Sequence, residues 1–159
     1  MSVIAWDGAR LAADKRGVND TLINTLTKVF HLGDSLAAYA GGADFGEEVL
    51  AWFKAGHDPA TFPASQRDKN DFAQLLVVWP DGSLWTYERT PFPIHWPPQL
   101  FAIGSGRDFA LAAMHLGKTA PEAVEVACVF DSGCGNGVDV LTHNVADKRD
   151  TTVRRGGSA

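Results

Sequence analysis

The chain is poor in several features that would point to common functions. It has two cysteines among 159 residues, Cys128 and Cys134, which do not form a CxxC pair. No His/Cys zinc spacing surrounds them, and so small a number fits a reducing compartment. The five histidines (31, 57, 95, 115 and 143) match no metal or triad spacing. No Lys/Arg run is long enough to track a phosphate backbone, and the net charge is −5, which argues against a nucleic-acid partner. The only basic cluster, Lys148 to Arg155, lies in a polar C-terminal tail of solvated character. No apolar run approaches the roughly 20 residues that a membrane span needs. The start lacks the basic stretch and apolar core of a signal peptide. The expectation is a cytoplasmic protein with no membrane association. No internal repeat or interdomain linker is visible, which predicts one domain over 1–145 and a polar tail over 146–159.

What is present is an ordinary globular composition, with 45% hydrophobic and 21% charged residues. Apolar runs Ser2–Trp6 and Ala9–Asp14 flank Asp7-Gly8, a hairpin signal. Residues 15–25 read as a polar loop. Lys28–Leu32 and Ser35–Ala40 flank Gly33-Asp34 and predict a second hairpin. Asp44 and Glu47 have the spacing of a capping box, and Phe45, Val49, Trp52 and Phe53 share one helical face that ends at Gly56. Residues 57–72 read as a loop or lid. Ala73–Trp79 and Ser83–Glu88 predict a third hairpin. The segment Pro91–Pro98 reads as a connector that cannot be a central strand.

Leu100–Ile103 predicts a short strand leading into Gly104-Ser105-Gly106. A helix is expected over Arg107–Leu116, with Phe109, Ala113 and Leu116 buried. A second is expected to be capped by Thr119 and Glu122, with Ala123, Ala127 and Phe130 buried and a stop at Ser132-Gly133. Val138–Thr142 is the last predicted strand. Hairpins with helices in separate blocks indicate an α+β fold with antiparallel sheets.

Five segments in this order carry a family resemblance: SVIAWDGARLAAD, TKVFHL, AAYAGGADF, AIGSGRDFALAA and DSGCGNG. Together the sequence resembles the proteasome β-subunit and HslV peptidase group of the N-terminal nucleophile hydrolases. The resemblance spans residues 2 to about 142 and implies a four-layer αββα sandwich. It implies that Ser2, exposed by removal of Met1, is the nucleophile, with its free α-amine as the base. Ser stands there in place of the more usual Thr and lacks the methyl group that restricts χ1. With only Met1 ahead of it, no self-cleaving propeptide is expected.

By the same resemblance Asp14 and Lys28 are active-site residues, and Gly41 supplies an oxyanion-hole N–H. Ser105 and Asp131 support the nucleophile. Cys134 stands where many relatives carry a further supporting Ser. As a rival nucleophile, Cys134 has no histidine nearby in sequence. The carbonyls of Cys128, Asp131 and Cys134, around a helix end, match a place where relatives hold a sodium or magnesium ion. No cofactor is otherwise expected.

The expected activity is hydrolysis of peptides or unfolded protein within a homo-oligomeric ring, and an ATP-dependent unfoldase is an expected type of partner. Two other readings stand beside it. One is a non-catalytic structural or assembly subunit. The missing residues for a blocking N-terminal helix, and the joint presence of Ser2, Asp14 and Lys28, count against that. The other is a small-molecule amidase, with the 57–72 loop lining its pocket.

Overall fold

The computed structural model describes residues 1–67 and 72–143. The tail expected over 146–159, with its basic cluster, lies outside the described residues. Among the described residues, eleven strands and three α-helices follow one another as β1 (Ile4–Trp6), β2 (Arg10–Asp14), β3 (Arg16–Asn19), β4 (Leu22–Thr25), β5 (Val29–Leu32), β6 (Ser35–Gly41), α1 (Ala43–Lys54), β7 (Ala73–Val78), β8 (Leu84–Tyr87), β9 (Ile94–Trp96), β10 (Phe101–Ile103), α2 (Arg107–His115), α3 (Ala120–Phe130) and β11 (Val138–Thr142). One sheet has the order β10-β1-β2-β11 and the other β5-β6-β7-β8-β9. Every pairing is antiparallel.

Strand alternation sets the layers. Val3, Ala5 and Ala12 face α2 and α3 and pack on Ala110, Ala123 and Ala127. Ile4, Trp6 and Leu11, one residue out of phase, meet Leu36, Leu76 and Leu84 of the second sheet. On that sheet's far face, Tyr39, Leu75 and Val77 receive Val49, Leu50, Trp52 and Phe53 of α1. The result is helices, sheet, sheet, helix, the αββα order expected. Small alanines between the first sheet and its helices permit close approach, whereas large side chains fill the space between sheets and beneath α1.

Several local expectations are corrected. Residues 15–25 are not loop: they form the β3-β4 hairpin, a separate two-stranded sheet. All of β4 is exposed, so no buried face imposes an alternating pattern. The N-cap of α1 is Gly42, with no side-chain cap. Asp44 lies inside the first turn, and Glu47 instead accepts the Tyr39 hydroxyl proton at 2.9 Å. The Pro-rich segment contributes β9, an edge strand flanked by prolines, where a missing N–H is tolerated. Phe109, Leu116 and Phe130 are exposed, and Phe109 stacks on Phe130 on the outer surface of the α2-α3 layer. By contrast, the Thr119-Glu122 capping box forms as the sequence indicates.

Candidate active site

The strand ends nearest the chain start converge at one edge of the sandwich. Ser2 lies two residues before β1, Asp14 ends β2, Lys28 immediately precedes β5, and Gly41 ends β6. Ser105 lies in the turn between β10 and α2, and Asp131 is the C-cap of α3.

Asp14 is the anchor. Its carboxylate is fully buried and accepts from Lys28 Nζ at 2.9 Å and Val3 N at 3.0 Å through Oδ1. Oδ2 accepts from Gly135 N at 3.1 Å and Arg16 N at 3.2 Å. These donors compensate a charge that is costly to bury alone. The ion pair fixes the Lys28 ammonium, which donates to Ser2 Oγ at 3.0 Å. Ser2 Oγ in turn donates to Met1 O at 2.6 Å. A cation on a hydroxyl oxygen favours that oxygen's ionised form.

The backbone of Ser2 is held as firmly. Its carbonyl accepts from Gly106 N at 3.1 Å, and its N–H donates to Ser105 Oγ at 3.2 Å. A Cβ at Gly104 would stand 2.2 Å from Ser2 O, and φ there is +94°, so this turn needs glycine on both counts.

Asp131 is held below the ordinary carboxylate range, chiefly by the Ser105 hydroxyl, with Gly133 N and Cys134 Sγ adding hydrogen bonds. The Cys134 thiol donates to Asp131 Oδ2 at 3.3 Å, and burial and nearby carboxylates push its pKa up to about 12. A thiol held protonated is a poor nucleophile, against the rival role for Cys134. Asp131, Ser105 and Cys134 thus form a chain of contacts running to the Ser2 nitrogen.

Gly41 and Ser2 both line a cleft of about 340 Å³ with Lys28, Arg16, Tyr39, Phe45, Phe72 and others, a volume typical of small-ligand sites. A second groove of about 480 Å³ shares Gly17, Val18, Leu26, Gly42 and Ala43 with it and extends the cleft toward β3 and β4. Gly41 has φ +116°, and a Cβ there would meet Phe72 O at 2.6 Å.

Sequence reasoning missed Arg16. Its guanidinium donates to Ser132 O at 2.6 Å and to Asn136 Oδ1 at 3.3 Å, while Asn136 Nδ2 donates to Asn24 O at 2.9 Å. These bonds tie the β3-β4 hairpin to the loop after α3. Its position two residues beyond Asp14, in the charged run Asp14-Lys15-Arg16, was the available signal. Around the expected ion position, Asp131 O accepts from Cys134 N at 3.0 Å, and the Arg16 guanidinium donates to the neighbouring Ser132 carbonyl. Among the described residues, no cluster of three His, Cys, Asp or Glu side chains is placed to hold a metal.

No known protein-family profile matches the sequence, and no curated protein does. Solved structures do match the fold. The BPH protein of Thiobacillus denitrificans, in complex with epoxomicin, has a TM-score of 0.63 at 18% identity over 89% of this chain and 96% of that one. Another structure of the same BPH gives 0.63 at 20% identity, with the same coverage of both chains. Eukaryotic HslV from Trypanosoma brucei gives 0.62 at 18% identity, covering 89% of this chain and 97% of that one. The fold is therefore that of the HslV and proteasome-type N-terminal nucleophile hydrolases.

Proposed function

We propose that the chain is a peptidase of the N-terminal nucleophile type, with Ser2 as nucleophile once the peptide bond before it is cut. The observation that carries this is the Lys28 ammonium, fixed by a buried Asp14 and aimed at Ser2 Oγ beside an open cleft. A freed Ser2 α-amine, with a reference pKa of roughly 7.7–8.0, titrates near neutrality and faces Ser105. It takes the Oγ proton as Oγ attacks the scissile carbonyl carbon. The oxyanion forms near Gly41, whose N–H is assigned to stabilise it. The C–N bond then breaks, and the protonated amine passes its proton to the departing nitrogen, leaving an ester on Ser2. Water, deprotonated by the same amine, attacks the ester. The acid product leaves, and Oγ recovers a proton.

Lys28 holds the developing negative charge on Oγ without exchanging a proton, and Asp14 keeps it in place. Asp131 and Ser105 orient the amine. The chemistry needs no ion at the α3 carbonyls, so activity is expected to survive EDTA. A closed ring of copies, an ATP-dependent unfolding partner and a cytoplasmic location belong to the same reading. Two free thiols suit a reducing compartment.

The test is the intact mass before and after incubation with epoxomicin, the ligand of the similar T. denitrificans protein. Loss of Met1 and one adduct at Ser2, absent in Ser2→Ala, is the expected result. A free Ser2 that never reacts and cleaves no peptide would favour a structural subunit. Cleavage of simple amides but not peptides would favour the amidase.

A further inference from the structure

We infer that Gln66 is a positioning residue for the Gly41 segment. This inference rests on the hydrolase reading above. Gln66 lies in a short 3-10 turn, Ala64–Arg67, between α1 and β7, outside every motif noted in the sequence. It is completely buried, which is uncommon for glutamine. Its carboxamide is engaged at both ends. Nε2 donates to Phe45 O at 3.0 Å, and Oε1 accepts from Ala73 N at 2.9 Å.

The partners give these bonds meaning. Ala73 opens β7 and lies opposite Gly41 in the β6-β7 ladder. On the other side of β7, the ladder to β8 stops at Leu75 opposite Tyr87, two residues short of Ala73. The Ala73 N–H thus lacks a strand carbonyl there, and Gln66 Oε1 supplies the acceptor. Phe45 belongs to the first turn of α1, which begins directly after Gly42. One side-chain amide therefore links both flanks of Gly41: the helix that follows it and the strand beside it.

Phe45 and Phe72, the neighbours of these two bonds, both line the cleft. Phe72 O already lies where a Gly41 Cβ would be, so the separation of β6 and β7 at this point is set within tight limits. Other contacts brace the same segment. Ser65 donates its hydroxyl proton to Glu48 on α1, Gln66 N donates to Pro63 O at 3.2 Å, and the Arg89 guanidinium lies 4.3 Å from the Phe72 ring centre. The turn read as a loop or lid is thus a buttress behind the assigned oxyanion donor. Gln66 touches no substrate and acts through Gly41.

Gln66→Met keeps the volume and removes both hydrogen bonds. Relaxation of the Gly41 segment is expected to lower kcat about 10- to 100-fold, as displacements near 1 Å do at other sites. KM should change less than kcat, because the Gly41 N–H is assigned to the oxyanion, which forms only in the transition state. Gln66→Glu supplies a second readout. Burial raises the pKa of the new carboxyl, and only its protonated form can both donate to Phe45 O and accept from Ala73 N. Its kcat relative to wild type should therefore rise as pH falls from 8 to 6.

The experiment is steady-state peptide cleavage by wild type and both variants from pH 6 to 8, with epoxomicin labelling of the wild type run in parallel. Wild type that neither labels nor cleaves refutes the hydrolase reading. With wild type active, an unchanged kcat in folded Gln66→Met overturns the role of Gln66. A change confined to KM also overturns it. Should Gln66→Met fail to fold, Gln66→Glu decides: a ratio rising toward low pH supports the role, and a profile parallel to wild type's overturns it.

Discussion

Replacing Asp14 by Asn tests the central pair. The substitution removes the countercharge of a Lys28 side chain that is only 4% exposed. It also creates a donor conflict that no flip relieves. Oδ1 now serves two donors and Oδ2 two others, so either orientation of the Asn amide points its NH₂ at donors. Breaking a buried pair by removing one partner costs about 3–5 kcal/mol. At about 2–4 °C per kcal/mol for a chain of this size, Tm should fall by about 6–20 °C.

Lys28→Met should be milder, about 1.5–3 kcal/mol, because Asp14 keeps its three backbone N–H donors. The double variant Asp14→Asn/Lys28→Met should be more stable than Asp14→Asn alone, since no uncompensated ammonium remains. Thermal unfolding followed by calorimetry on the four proteins gives the cycle. A Tm for Asp14→Asn within about 2 °C of wild type would refute the reasoning. So would a larger loss in Lys28→Met than in Asp14→Asn.

Four further outcomes are expected. Gly41→Ala forces a Cβ against Phe72 O at a φ of +116°; it should lower stability by about 1–3 kcal/mol in chemical denaturation and abolish peptide cleavage. Cys134, with its pKa pushed up to about 12, should resist iodoacetamide at pH 8 in the native protein and react on unfolding, as mass spectrometry would show. Its contribution to stability is complete below its ordinary value of 9.0 and is lost as pH rises from there to about 12; Asp131 has the opposite sign, contributing above 3.8 and losing that contribution as pH falls through its lowered value. Thr119→Ala removes the α3 capping box, far from the chemistry, and should cost about 1 kcal/mol in denaturant melts with kcat unchanged.

The elements legible in the sequence are those whose cause is local. The Thr119-Glu122 box and the β7-β8 hairpin each depend on residues a few positions apart. The β3-β4 hairpin was not legible because its apolar residues, Val18, Leu22 and Ile23, are exposed and follow no buried face. Asp44 and Glu47 have capping-box spacing, but Gly42 starts the helix two residues earlier and Tyr39 takes the Glu47 carboxylate. Phe109 and Phe130 have helical spacing with Ala113 and with Ala123 and Ala127, yet the alanines face the core and the two rings face outward.

The site residues came from resemblance rather than spacing. The structure joins Ser2, Asp14 and Lys28 directly and links Ser105 and Asp131 to them through short contacts. Arg16 with Ser132, and Gln66 with Ala73, were hidden because their meaning lies in backbone atoms brought together by the fold.

Strand β11 runs from Val138 beside Asp14 to Thr142 beside Arg10, and His143 N then donates to Ala9 O at 2.8 Å. The described chain thus begins in the cleft and ends at the opposite pole of the sandwich. For handling, the two ends are unequal. A purification tag placed ahead of Met1 would keep Met1 in place and leave the Ser2 nitrogen in its peptide bond, without the free amine that the proposed reaction needs. One attached beyond Ala159 would follow a chain that leaves the described residues at the far pole, away from the cleft.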